Sequence, residues 1–283
     1  MTSRSGVSAV VYSRNEGTLL RDCLPLLTEM DEIVVCDMGS DDDTAQIAAA
    51  HGARLVPVPN APVVEEVRQH GLDAARHDWV LFVDADERLP AGFRAAIDPL
   101  LDDPDLAAVR LRYDNTAFGR PLRHSLQGSA KYALLRRERV RYTEPALAHV
   151  PPMIDGRTIG APSTVPPITH LNFRSIAQTQ EKVLRYAANN PDRLARIDDP
   201  IALLRELART TVFSGAWRDG RAGFAVAALH TVGQLSGSLI AAERDGTLTA
   251  DLPRRRTRIL AAAESIQRAL VAARDTLRRP RQP

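Results

Sequence analysis

With 283 residues, 44% of them hydrophobic and 25% charged, the chain can bury a full core as one large domain or as a domain with an appended helical part, so disorder is excluded as the starting reading. A formal net charge of +2 leaves no global electrostatic footprint for nucleic acid, and the basic excess sits near the C-terminal end. Cys23 and Cys36 lack the close spacing and histidine partners of a zinc site; they read as small core residues in a reducing compartment.

The polar stretch Met1 to Gly6 has no basic-then-apolar leader, so the expected location is cytoplasmic. Val7 to Ser13 reads as a first strand, Leu19 to Met30 as a helix, and Glu32 to Asp37 as a β-branched strand that stops at a carboxylate. A helix over Thr44 to His51 follows, with Asp43 or Thr44 as its N-cap and Gly52 as a left-handed C-terminal cap. Arg54 to Val58 is a third strand, Val63 to His77 a helix, Trp79 to Val83 a fourth strand, and Pro90 opens another helix. This alternation of strand and helix predicts βαβ units and a largely parallel sheet.

From Leu106 to about Val165 the pattern loosens into short strands, Val109 to Tyr113 and Tyr132 to Leu135, and a proline-rich stretch over Pro151 to Pro167. After His170 it turns helical, over Gln178 to Asn189, Ile201 to Phe213, Gly223 to Glu243 and Thr257 to Arg278. The expected organisation is a catalytic domain over 1–175, with a nucleotide-sugar-binding half over 1–105 and an acceptor half over 106–175, followed by a helical region over 176–283.

Ligands of an open parallel sheet bind outside the carboxyl ends of its strands. The polar clusters there are Ser13-Arg14-Asn15-Glu16, Asp37-Met38-Gly39-Ser40 and Asp84-Ala85-Asp86-Glu87-Arg88. Two aspartates one residue apart at the end of an apolar strand suit Mg2+ or Mn2+, hard ions that leave positions open for phosphate oxygens. The loop Gly39 to Thr44 is no phosphate cradle, because its three successive acids repel phosphate. Asp37 is instead suited to accept from a base or ribose hydroxyl, and Arg68 to face a phosphate.

The run Val34-Val35-Cys36-Asp37-Met38-Gly39-Ser40-Asp41-Asp42-Asp43-Thr44, flanked by the other two clusters, resembles family 2 glycosyltransferases. Within them it is most similar to the bacterial branch of lipopolysaccharide-core β-1,4-glucosyltransferases. The resemblance implies an α/β, A-type glycosyltransferase fold, Rossmann-like with a mainly parallel sheet, here with a C-terminal helical extension. It implies an inverting hexosyltransferase with a nucleotide-sugar donor such as a UDP-hexose. Ser13, Asn15, Glu16, Asp37, Ser40, Arg68 and Asp84 become the expected donor contacts, and Asp84, Asp86 and His170 the expected metal ligands. The family's asparagine after the arginine is here Gln69, its His-Glu pair falls at His149-Val150, and an arginine of the family becomes Ala133. The general base is therefore open among Glu144, His149 and Asp114, with Glu144 favoured as a substitute for the carboxylate missing at Val150.

The expected partners are the donor and an acceptor of open identity: a lipid-linked glycan, a natural product or a peptide. Ala222 to Ala242 carries no charged residue and is long enough to cross a bilayer, yet its glycine, alanine, serine, His230 and Gln234 favour a buried or interfacial helix. The arginine-rich segment after Pro253 has two readings, a helix packed on the body or on a second subunit, and a peripheral contact with anionic lipid on the inner face of the membrane. Two other functions compete with transfer. One is a nucleotide-sugar-binding protein that has lost catalysis; the other is a nucleotidyltransferase, whose usual basic glycine-rich loop is missing at residues 13 to 16.

Overall fold

The computed structural model describes residues 5–125, 129–142, 152–189, 197, 199–249, 261, 263–265 and 267–268. β1 (Val7–Ser13), β2 (Glu32–Asp37), β3 (Arg54–Pro57) and β4 (Trp79–Asp84) form a parallel block in the order β3-β2-β1-β4. β1, β2 and β4 are largely apolar, and β1 is buried along its whole length, Ser8 included, because both faces of the sheet are covered. Val7, Ala9, Val11, Val35, Leu81 and Val83 pack on one side with α1 (Gly17–Cys23), α2 (Thr44–Ala50) and α4 (Phe93–Leu101). The intervening Val10, Tyr12, Val34, Cys36, Val80 and Phe82 pack on the other side, beneath α3 (Arg68–Ala74). α3 lies so close to β1 that a Cβ at Gly71 would stand 2.1 Å from the Tyr12 hydroxyl.

The sheet continues past β4 through β8 (Ala130–Arg136), which runs antiparallel to both β4 and β6 (Leu106–Ala117). β12 (Ile168–Phe173) lies parallel to β6 and antiparallel to the short β5 (Glu87–Arg88). β7 (Arg120–Pro121) and β11 (Arg157–Gly160) also pair with β6, while β9 (Val140–Arg141) and β10 (Met153–Ile154) form a separate two-stranded ladder. α5 (Ile176–Asn189), α6 (Pro200–Ala208) and α7 (Gly220–Arg244) follow, with a π-helical turn over Arg209–Phe213 between the last two. The architecture is the expected α/β fold with a mainly parallel sheet and a helical extension.

Several elements differ locally from expectation. The helix expected over Leu19 to Met30 is α-helical only to Cys23 and tightens into a 3-10 turn over Leu24–Leu27, where Pro25 removes a backbone donor. The helix expected to open at Pro90 starts at Phe93, because Gly92 adopts a left-handed conformation with φ 73°. Asp43 holds the expected N-cap position of α2 but makes no side-chain cap bond; Asp42 Oδ1 accepts from Thr44 N at 3.0 Å, and its Oδ2 from Gly17 N at the start of α1 at 2.9 Å. Gly52 is left-handed at φ 67°, as its position after α2 requires. Both cysteines are free and buried, and burial pushes their thiols up to about 12.

The helical extension is fastened to the sheet domain by Asp219, just before α7. Its carboxylate accepts from the backbone N–H groups of Arg123 at 2.8 Å, His124 at 3.1 Å and Ser125 at 2.7 Å, and from Ser125 Oγ at 2.5 Å. Among the described residues one helical stretch, Ala216–Arg244, meets the length and hydropathy of a membrane span, and a third of its most apolar window is buried in the protein. Most of the basic segment beyond Pro253 lies outside the described residues.

Candidate active site

β1 has β2 on one side and β4 on the other, so the direction of winding reverses between β1 and β4, the point at which a doubly wound sheet opens a crevice. Their carboxyl ends are in register, Tyr12 opposite Asp84. A cleft of about 640 Å³ opens there, lined by Glu16, Arg68, Asp84, Asp86 and His170, five of the residues expected from the sequence. Three expected donor contacts are hydrogen-bonded within the adjoining loops. Asn15 is left-handed at φ 55°, its N–H donates to Ser40 Oγ, and its Oδ1 accepts from Asp41 N. Ser40 in turn donates through Oγ to Asp37 Oδ1 at 2.6 Å. Ser13 is buried at the end of β1. These four residues lie within two positions of Tyr12, Arg14 or Met38, which line the cleft.

Asp84 is held between two cations. Lys131 Nζ stands 2.6 Å from its Oδ2, and Arg68 Nη2 stands 3.8 Å from its Oδ1. Loss of water opposes ionisation of Asp84, but Lys131 and Arg68 together hold it well below the usual carboxylate range. Lys131 also lies 2.6 Å from Oε1 of the fully buried Glu87, whose Oε2 accepts from the Asp84 backbone N–H at 3.1 Å. Burial pushes Glu87 up to about 7 against the pull of Lys131. The Arg68 guanidinium lies over the rings of Phe82 at 5.0 Å and Tyr12 at 5.9 Å, with the Tyr12 hydroxyl donating to the Arg68 carbonyl at 2.9 Å, so this arginine is locked in place.

Asp86 has a different partner. β5 pairs with β12 so that His170 lies opposite Glu87, and the Leu171 N–H donates to the Asp86 carbonyl at 2.8 Å. This ladder leaves His170 Nε2 at 3.4 Å from Asp86 Oδ1. Burial opposes ionisation of Asp86, and the hydrogen bond and charge of His170, with the charge of Lys182, together outweigh it and hold the carboxyl below the usual range. Burial, then the charges of Asp86 and Asp84, push Glu16 up to about 7. Among the described residues no three His, Cys, Asp or Glu side chains are grouped tightly enough to form a metal cage by themselves. The Asp86 and His170 pair nevertheless fits an ion that takes one or two protein ligands and completes its shell with water and phosphate oxygens.

The remaining candidates stand apart. Asp114 is exposed on β6, and the strand alternation that brings its neighbours Tyr113 and Asn115 to the cleft turns it away. Glu144, His149 and Val150 lie outside the described residues. Sequence reasoning missed Lys131, Asn115, Asn172 and Lys182, all of which line the cleft. A lysine directly before the strand-like run Tyr132 to Leu135 was the available signal for the first.

The model of the family described as Glycosyl transferase family 2 matches residues 8–153, the segment that builds β1 to β10 and the acidic end of β4. The chain belongs to glycosyl transferase family 2. Among curated family relatives, a glucosyl-3-phosphoglycerate synthase of Mycolicibacterium paratuberculosis is 40% identical over 78 residues, 25% of this chain and 24% of that protein. A TPR repeat-containing protein of Synechococcus elongatus is 34% identical over 114 residues, 40% of this chain and 28% of its own. The chain thus spans under a third of the length of these relatives. A glucosyl-3-phosphoglycerate synthase structure from Mycobacterium tuberculosis with Mn2+, UDP and glucosyl-3-phosphoglycerate is 31% identical, covering 38% of this chain and 44% of that one, at a TM-score of 0.33. The fold is the A-type glycosyltransferase fold of this family.

Proposed function

We propose that this chain is an inverting glycosyltransferase that moves a sugar from a nucleoside-diphosphate sugar, a UDP-hexose in the first instance, to an acceptor hydroxyl. The observation that carries the reading is the meeting of Asp84, Asp86, His170 and Arg68 in one crevice at the carboxyl ends of β1 and β4. Family membership supports it, and the glucosyl donor class has its support in the name of the Mycolicibacterium relative.

In this reading Asp86 and His170 hold Mg2+ or Mn2+, which when bound supplies positive charge against the diphosphate. Arg68, fixed over Phe82 and Tyr12, adds a cation that needs no rearrangement as the diphosphate leaves, the kind of preorganised stabilisation worth several kcal/mol in a dry site. Asp84 works indirectly, keeping Arg68 and Lys131 beside the cleft, and Glu16 contacts the donor. The acceptor hydroxyl must lose a proton, and Glu144 and His149 are the proposed bases.

A thermal-shift screen of UDP, GDP, ADP and CDP with Mn2+ tests the donor site. A ligand at a hundred times its Kd stabilises by about 2.7 kcal/mol. Absence of a shift with all four would sink the proposal. The second reading, a binding protein without catalysis, is favoured by Val150 and Ala133; it requires metal-dependent nucleotide affinity with neither transfer nor slow donor hydrolysis. The proposal extends to lipid-linked acceptors of the lipopolysaccharide-core type and to peripheral contact with the inner face of the membrane. Exposed Phe213, Trp217 and Phe224 support that contact. Sedimentation with anionic vesicles tests it against use of the same surface in a homodimer.

A further inference from the structure

α5 opens the helical extension, yet Gln178, Lys182 and Tyr186 of this helix all line the cleft. Their four-residue spacing puts them on one helical face. Lys182 Nζ donates to Asn172 Oδ1 at 3.2 Å, and Asn172 Nδ2 donates to Oδ1 of the buried Asn115 at 3.4 Å. A chain of neutral amides rooted in β6 therefore positions the ammonium. Asn172 stands two residues beyond His170 on β12, and both line the cleft. The charge of Lys182 acts on both Glu16 and Asp86.

The cations of this cleft differ in their engagement. Arg68 and Lys131 are both paired with Asp84. Lys182 is hydrogen-bonded to an amide, which does not neutralise it, and the bond uses one of the three N–H donors of an ammonium. A positive charge placed this way, beside the pair Asp86 and His170, matches an incoming polyanion better than it serves packing. We propose that Lys182 is a diphosphate-binding residue, supplied by the helical extension, that engages the donor beside Asp86 as Arg68 does beside Asp84. The inference rests on the donor-site reading above. It makes the extension part of the donor site, and it assigns the Asn115 and Asn172 amides as positioning residues.

The test is calorimetry on the whole chain with Mn2+, using whichever of UDP, GDP, ADP and CDP binds most tightly, together with its monophosphate. A charge-assisted hydrogen bond to phosphate predicts that Lys182→Ala weakens the diphosphate roughly 10- to 100-fold. The monophosphate should change by less than about twofold, since the charge acts on the distal phosphate. Lys182→Arg should keep most of the diphosphate affinity, and unchanged thermal midpoints of the apo variants would confirm that the fold is intact. Wild-type diphosphate affinity in Lys182→Ala, or equal loss of monophosphate and diphosphate, would overturn the inference. Failure of the wild-type chain to bind any of the four would instead overturn the donor-site reading, and this inference with it.

Discussion

Replacing Asp219 by alanine removes a single carboxylate on which three backbone N–H groups and one hydroxyl of residues 123–125 converge. Hydrogen bonds to a charged acceptor contribute roughly 1.5–3 kcal/mol each when buried, and here the partial exposure of Asp219 lets water take over some of them. The expected loss is about 3 kcal/mol, which for a chain of this size lowers the midpoint by roughly 6–12 °C. Urea unfolding followed by tryptophan fluorescence reads it directly, since Trp217 lies two residues from the substitution.

The same carboxylate sets a pH dependence. Loss of water opposes its ionisation, but hydrogen bonds from Ser125, Arg123 and His124 hold Asp219 below the usual aspartate range. A group whose folded value is depressed contributes fully above its unfolded value, near 3.9, and loses that contribution as pH falls through the folded value. Wild-type stability should therefore fall more steeply below about pH 4 than that of Asp219→Asn, which has no charge to lose. A stability change within about 0.5 kcal/mol for Asp219→Ala, or the same acid limb in both proteins, would refute the reasoning.

Asp86→Ala should remove the dependence of nucleotide affinity on divalent cation; calorimetry with and without chelator checks this, and a retained chelator effect would count against Asp86 as a ligand. Gly71→Ala would bring a Cβ to 2.1 Å from the Tyr12 hydroxyl and 2.8 Å from Val10 Cγ1. Overpacking of this kind costs about 1–3 kcal/mol, and nucleotide affinity should fall with stability because Tyr12 supports Arg68. Glu144→Gln should lower turnover by about two to four orders of magnitude and leave donor affinity unchanged. His149→Ala and Asp114→Asn run beside it, and normal turnover in Glu144→Gln would move the base elsewhere.

β1, β2 and β4 were readable because they are largely apolar and end at polar residues, a pattern that depends on local sequence alone. Glu16, Asp84 and Asp86 lie at or just beyond those strand ends, Arg68 was a candidate phosphate partner, and the family resemblance added His170; all five line the cleft. Asn15, Asp37 and Ser40 sit at the expected strand ends, but short side chains in tight loops can satisfy one another, and here they do. The boundaries of α1 and α4 moved because Pro25 and Gly92 act on backbone geometry that apolar spacing does not report. Lys131 was hidden because its meaning comes from the antiparallel insertion of β8 between β4 and β6, and Lys182 because α5 reaches back over a distant strand.

The pairing of β5 with β12 bears on how the protein acquires its chemistry during folding. Asp86 and His170 are far apart in the chain, and their approach depends on main-chain bonds formed only when β12 docks. Contacts between segments so distant in the chain close late, because the entropy of the intervening loop must be overcome first. The βαβ units can assemble while Asp86 and His170 still belong to segments that have not joined. On the proposed metal reading, acquisition of divalent-ion affinity in a refolding experiment should therefore lag behind burial of Trp79 in the central sheet, and the ion itself becomes a reporter of completed folding.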